Sequence, residues 1–221
     1  MREIMSEKQE ELMTNPPCGG ILELRENIAR YLMDFRGMSV RREQIIVGAG
    51  TEYLYSLLIQ LLGDRNMYGV ENPGYHKVAK IYKSMGVPYC YLNMDHAGVR
   101  MDELEEKKVQ ILHISPSHHF PTGVVMPVSR RYELLGWVAG NPKRYIIEDD
   151  YDSELRLGGK PIPTLQSMDV SGKVIYMNTF TKTLSSTVRI SYMVLPDQLA
   201  ELFYQKLSFY SCTVSNFEQY T

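Results

Sequence analysis

Residues 45–62 read IIVGAGTEYLYSLLIQLL, and the order of those residues decides the fold. Ile45, Ile46 and Val47 make a short apolar run of the length a buried strand needs, and Gly48-Ala49-Gly50-Thr51 breaks it. The run from Tyr53 to Leu62 is helical. A strand that passes through a glycine turn into a helix is one unit of an α/β chain.

The alternation extends in both directions. Upstream, Leu24, Ile28, Tyr31, Leu32 and Phe35 recur every three or four residues, which predicts an amphipathic helix over 21–36 with Gly37 as its stop. Downstream, apolar runs predict strands near 67–70, 87–92, 109–114, 144–148, 173–177 and 190–195. Helical stretches fall near 75–85, 102–107, 129–139 and 197–210. Short buried strands separated by helices predict an α/β three-layer sandwich with a mainly parallel sheet. The glycine- and proline-rich segment at 158–163 is a connection, so one domain covers 1–221. Residues 197–221 look helical and stop without a Gly, Asn or Pro signal, and the start is equally abrupt. The expectation is a piece of a longer protein.

Composition narrows the function. The 221 residues carry 24 Lys+Arg against 26 Asp+Glu, a formal charge of −2, which lacks the basic excess of a nucleic-acid module. No apolar run approaches the roughly 20 residues of a membrane span, and the charged residues 1–15 are no secretory signal. The 3 cysteines, Cys18, Cys90 and Cys212, are widely spaced and read as reduced thiols of a cytoplasmic protein.

The most informative segment for chemistry is VIYMNTFTKTLSSTVRI, residues 174–190. A strand ends near Asn178, and Lys182 follows with Thr179 and Thr181 before it and Arg189 after it. Two hydroxyls and a guanidinium around one lysine suit a phosphate, and a lysine can condense with an aldehyde. A solvated lysine in a polar loop is the plain alternative. Glu148-Asp149-Asp150-Tyr151-Asp152 follows the apolar run at 145–147. A carboxylate there could keep a pyridine nitrogen protonated, and clustered acids also suit Mg²⁺ or Ca²⁺. The turn Gly48-Ala49-Gly50-Thr51-Glu52 offers free N–H groups at a helix start, either as a phosphate cup or simply as a helix capped by Thr51. In Glu71-Asn72-Pro73-Gly74-Tyr75-His76 a turn delivers Tyr75, which could stack on a planar ring or serve as an ordinary packed tyrosine. His118 and His119 lack further ligands at metal spacing, so no metal site is assigned.

Together, ELRENIARYL, ENPGYH, SPSHHFPTG, IIEDDYDSELR and NTFTKTLSSTVRISYMVLP resemble the large domain of fold-type I pyridoxal-phosphate enzymes, the aspartate-aminotransferase fold. The resemblance runs from about residue 18 to the end. It is strongest to the aminotransferase-like domain of MocR-type regulators in the GntR superfamily. It implies that Lys182 carries pyridoxal 5'-phosphate as an internal aldimine and that Asp149 faces the pyridine nitrogen. It also implies that Tyr151 bonds the 3' oxygen, that Tyr75 stacks on the ring, and that Gly50, Thr51, Glu52, Thr179, Thr181 and Arg189 surround the phosphate. Phe120 stands where aminotransferases often carry asparagine before Pro121, which favours the regulator group. Glu52 replaces a glutamine common among relatives, which leaves only its backbone N–H for the phosphate.

The resemblance further implies a homodimer and an amino compound as ligand. DNA would be read only by a winged-helix unit before residue 1, and the arginine for a substrate carboxylate would lie in a small C-terminal domain beyond residue 221. Three functions stand open: the effector domain of a transcription regulator, a working aminotransferase, and an inert fragment that keeps the fold without the cofactor.

Overall fold

The apolar runs at 45–47 and at the six downstream positions all become strands of one sheet, with ends shifted by a residue or a few. The structure is a computed structural model that describes residues 2–152, 162–180 and 187–221. Thr181, Lys182 and most of the connection at 158–163 lie outside the described residues.

The first half of the chain runs α1 (Arg2–Glu7), α2 (Gln9–Leu12), α3 (Leu22–Arg36), β1 (Ile45–Ala49), α4 (Thr51–Leu62), β2 (Tyr68–Asn72) and α5 (His76–Ser84). Next come β3 (Tyr89–Asp95), β4 (Gly98–Val99), α6 (Met101–Glu106), β5 (Ile111–Ile114) and α7 (Val128–Ala139). The remainder is β6 (Tyr145–Asp149), α8 (Leu165–Met168), β7 (Val174–Thr179), β8 (Ile190–Val194), α9 (Asp197–Leu207) and α10 (Asn216–Tyr220). Among the described residues the eight strands are ordered β1-β8-β7-β6-β5-β2-β3-β4. The pairs β7·β6, β6·β5, β5·β2 and β2·β3 are parallel, whereas β8 runs antiparallel to both β1 and β7, and β4 antiparallel to β3.

Alternate residues of each strand feed opposite layers, as the two-residue period of a strand requires. Ile46, Tyr68, Ile111, Ile147, Ile175, Met177 and Met193 pack with Leu54, Leu58, Val78, Tyr82 and Phe203 of α4, α5 and α9. On the opposite face, Leu112, Ile114, Ile146 and Val174 meet Leu104, Leu134 and Val138 of α6 and α7. Ile45, Val47, Tyr192 and Val194 meet Ile28 and Leu32 of α3 on that same face. Burial on both faces explains why the strands read as unbroken apolar runs rather than polar–apolar alternations. Each fully buried Leu or Ile contributes about 1.5–3 kcal/mol.

The expected helix through 197–221 is interrupted. α9 ends at Leu207, and the chain turns inward to bury Cys212 and Val214 against the α3 layer before α10 begins. Ser215 restarts the helix, its hydroxyl accepting from the Glu218 amide at 3.2 Å. Gln219 and Asn216 then fasten α10 to the N-terminal segment, accepting from the Ile21 amide at 2.8 Å and donating to the Glu11 carbonyl at 2.7 Å. No helix among the described residues is long and apolar enough to cross a membrane. Cys18, Cys90 and Cys212 are all free thiols.

Candidate functional site

The face that packs on α4 and α5 stays apolar up to the carboxyl ends of the parallel strands and then turns polar. Val70, His113, Asp149 and Thr179 lie two residues beyond Tyr68, Ile111, Ile147 and Met177, and therefore point the same way. Ser191 joins them from the start of antiparallel β8, paired with Thr179 in the sheet register. A cavity of about 380 Å³ opens there, in the crevice where open α/β sheets hold small molecules.

Gly50, Thr51, Glu52, Tyr75, Asp149, Tyr151, Thr179 and Arg189 all line this one cavity. Thr181 and Lys182, which continue the chain from Phe180, are outside the described residues. Gly50, not Thr51, is the N-cap of α4, at φ 89°, and among the described residues no side chain caps the helix. At φ 89° a side chain at position 50 would be strained, and a Cβ there would fall 2.5 Å from Arg189 Nη2 and 2.8 Å from Glu52 Oε2, pushing both groups aside. Thr51 and Glu52 therefore begin the helix with their amides at its positive end. Glu52 ion-pairs with Lys77, and its Oε2 lies 3.2 Å from Arg189 Nη2. Partial burial pulls the Glu52 carboxyl up, but the hydrogen bond from Lys77 and the charges of Lys77 and Arg189 outweigh it, and the group stays below its ordinary value. Thr179 Oγ1 accepts from Ser191 Oγ at 2.9 Å.

At the other end, the turn before α5 is tight enough that a Cβ on Gly74 would sit 2.3 Å from the Glu71 carbonyl oxygen. That turn sets Tyr75 at the helix N-cap, 55% exposed, with its ring edge-on to Phe120 at 6.2 Å. Tyr151 hydrogen-bonds to the His118 carbonyl at 3.0 Å, and the His118 ring stacks on it at 6.4 Å. Burial and then the charges of Asp152 and Asp149 push the Tyr151 phenol up to about 12, so it is a donor at neutral pH.

The run of acids separates residue by residue. Asp149 faces the cavity, whereas Glu148 and Asp150 point to the opposite layer, as alternate strand positions must. Glu148 accepts from the Leu165 and Gln166 amides, each at 2.9 Å, and lies 3.5 Å from Arg131, which is fully buried. Asp150 takes Arg36 at 2.5 Å and Tyr176 at 2.8 Å. Carboxylates that diverge in this way do not make a Mg²⁺ or Ca²⁺ cluster. His118 pairs with Asp152 while His119 bonds Thr122 at 2.7 Å, so the two histidines also diverge.

Asp149 is the focus of the cavity floor. It is 8% exposed; Tyr55 donates to its Oδ2 at 2.6 Å, and His113 Nε2 stands 3.5 Å from the same oxygen. Its Oδ1 is buried with no hydrogen-bond partner among the described residues. A buried carboxylate oxygen without a donor is costly, so this atom is set for a donor that a ligand brings. Behind it, His113 Nδ1 bonds the Tyr82 hydroxyl at 2.7 Å. Tyr55, His113 and Lys77 are pocket residues that the sequence reading did not single out. Tyr55 carried a signal all the same: it lies four residues after Thr51, on the same face of α4.

The aminotransferase class I and II family matches residues 1–219. The chain is 40% identical over 202 residues to the uncharacterized HTH-type transcriptional regulator YdeL of Bacillus subtilis, covering 91% of this chain and 43% of that protein. It is 36% identical over 186 residues to the probable rhizopine catabolism regulatory protein MocR of Rhizobium meliloti, covering 84% and 38%. Among solved structures, Pyrococcus horikoshii kynurenine aminotransferase in complex with PMP superposes with a TM-score of 0.83 at 27% identity, over 99% of this chain and 56% of that one. The chain thus spans about two-fifths of the length of these two regulators.

Proposed function

The chain belongs to the aminotransferase class I and II family, and from that premise we propose that it is the pyridoxal-phosphate-binding effector part of an HTH-type transcriptional regulator of the MocR kind. The observation that carries the reading is Asp149: a buried carboxylate whose Oδ1 lacks a donor among the described residues, on the floor of a cavity with cations and helix amides at one end. When bound, pyridoxal phosphate supplies an aldehyde that condenses with amines and a cationic ring that withdraws electrons.

The residues present fit that group. Asp149 Oδ1 accepts the proton-bearing ring nitrogen and keeps it protonated. Tyr55 holds the carboxylate in place by donating to Oδ2, with the His113 ring nitrogen 3.5 Å from the same oxygen. The exposed Tyr75 ring would cover one face of the cofactor, and Tyr151 would turn its hydroxyl from the His118 carbonyl to the phenolic oxygen. The amides of Thr51 and Glu52, with Thr179, Thr181 and Arg189, receive the phosphate. Lys182 provides the amine for the aldehyde. An amino compound that competed with Lys182 for the aldehyde would change the charge at that lysine, and coupling of that change to the state of the full-length protein would make a two-state signal.

In this reading DNA is read by a helix-turn-helix unit elsewhere in the full-length protein, and the functional unit is a homodimer. The similarity to HTH-type regulators supports the regulator over the enzyme. A working aminotransferase uses the same cavity, with Lys182 also moving the proton, and remains the second reading because solved aminotransferases share the fold. The two separate on turnover. The full-length protein, mixed with amino donors and a keto acid, is expected to bind the donor and shift its DNA affinity without sustained product formation. Turnover at ordinary enzyme rates overturns the pure sensor.

A further inference from the structure

The phosphate end of the cavity already holds an anion. Glu52, in the first turn of α4, uses one carboxylate oxygen for Lys77 of α5 and the other for Arg189, which precedes β8. The carboxylate therefore joins two cations carried by separate parts of the chain, directly over Gly50, where a Cβ would strike both Arg189 and Glu52. Resting on the cofactor reading above, we infer that Glu52 is a tethered stand-in for the phosphate, and that Lys77 is a further phosphate-binding residue which Glu52 occupies until the ligand displaces it.

A carboxylate and a phosphate dianion cannot share one guanidinium and one ammonium at contact distance without repelling each other. Glu52 must swing away before Arg189 and Lys77 can both turn to the phosphate. The move is feasible, because the Glu52 side chain is 35% exposed and those of Lys77 and Arg189 are 49% and 55% exposed, so none needs a buried route. The exchange costs affinity that a neutral side chain at position 52 would not cost. It acts only on ligands that carry the phosphate. A site built this way takes up its cofactor reversibly, which suits a protein that reports a ligand more than one that must never lose it.

The test is a titration of the full-length protein with pyridoxal phosphate and, separately, with pyridoxal, which lacks the phosphate. Glu52→Gln is expected to tighten pyridoxal phosphate by roughly five-fold, the scale of one part-exposed ion pair, and to leave pyridoxal unchanged. Glu52→Ala should move in the same direction, which guards against an effect of the new amide. In the Glu52→Gln background, Lys77→Gln should weaken pyridoxal phosphate several-fold and again spare pyridoxal. Wild type that binds pyridoxal phosphate while both Glu52 variants bind it equally or more weakly overturns the stand-in role. An unchanged affinity on adding Lys77→Gln overturns the role of Lys77. Wild type that binds neither compound overturns the cofactor reading and this inference with it.

Discussion

The Tyr55 hydroxyl donates to Asp149 Oδ2 at 2.6 Å, tying the second turn of α4 to the carboxyl end of β6. Burial, and then the Asp149 charge, push the Tyr55 phenol well above its ordinary value, so it remains the donor at any physiological pH. The bond fixes one oxygen of Asp149 and leaves the other for the cavity.

Tyr55→Phe keeps the ring and removes the donor, leaving Asp149 with a second poorly satisfied buried oxygen. The expected loss is about 1–3 kcal/mol of stability, read by urea denaturation without ligand. Pyridoxal phosphate should recover part of it, since the ligand binds only the folded state. Unchanged stability in the ligand-free protein would show that the bond does not hold Asp149.

Glu71 makes stability depend on pH. Burial pushes its carboxyl from the ordinary 4.5 up to about 8, against the hydrogen bond from the Ser115 amide and with the added push of Asp149. The folded state thus binds a proton that the unfolded chain has already released. The Glu71 contribution is full below pH 4.5 and is lost as pH rises through about 8. Glu71→Gln, which stays neutral, should flatten this part of the stability–pH curve, measured by thermal melts in buffers spanning that window.

Arg131 tests how the acidic run is tolerated. Its guanidinium is fully buried, lies 3.5 Å from Glu148, and also donates to the Pro116 carbonyl at 2.9 Å and the Pro163 carbonyl at 3.1 Å. Arg131→Met should cost about 3–5 kcal/mol, because it strands a buried carboxyl. Pairing it with Glu148→Gln should restore part of that loss, and strict additivity of the two would show that they do not interact.

The layers of the fold were legible because the strands are buried on both faces: runs such as 45–47 and 145–147 announce themselves without alternation. The break after Leu207 was not legible, because its cause is tertiary. Cys212 and Val214 leave helical geometry to fill space against α3, and that space is created by residues far away in sequence. In the site, the segments around Gly50, Tyr75, Asp149 and Arg189 could be picked out locally, and they meet at one cavity. What local reading missed was direction and pairing. Glu148, Asp149 and Asp150 look alike in the sequence, yet strand alternation sends only Asp149 to the cavity and hands the others to Arg131 and Arg36. Likewise, nothing near Glu52 in the sequence announces that its partners are Lys77 and Arg189.

The central claim is that this cavity receives pyridoxal phosphate at Lys182. Its most direct measurement is incubation of the folded full-length protein with pyridoxal phosphate, reduction with borohydride, and peptide mass spectrometry. The account predicts a visible absorbance band before reduction and a pyridoxyl mark concentrated on Lys182, both lost in Lys182→Ala. A folded protein that stays colourless in excess pyridoxal phosphate, or a mark spread over surface lysines and unaffected by Lys182→Ala, would contradict it.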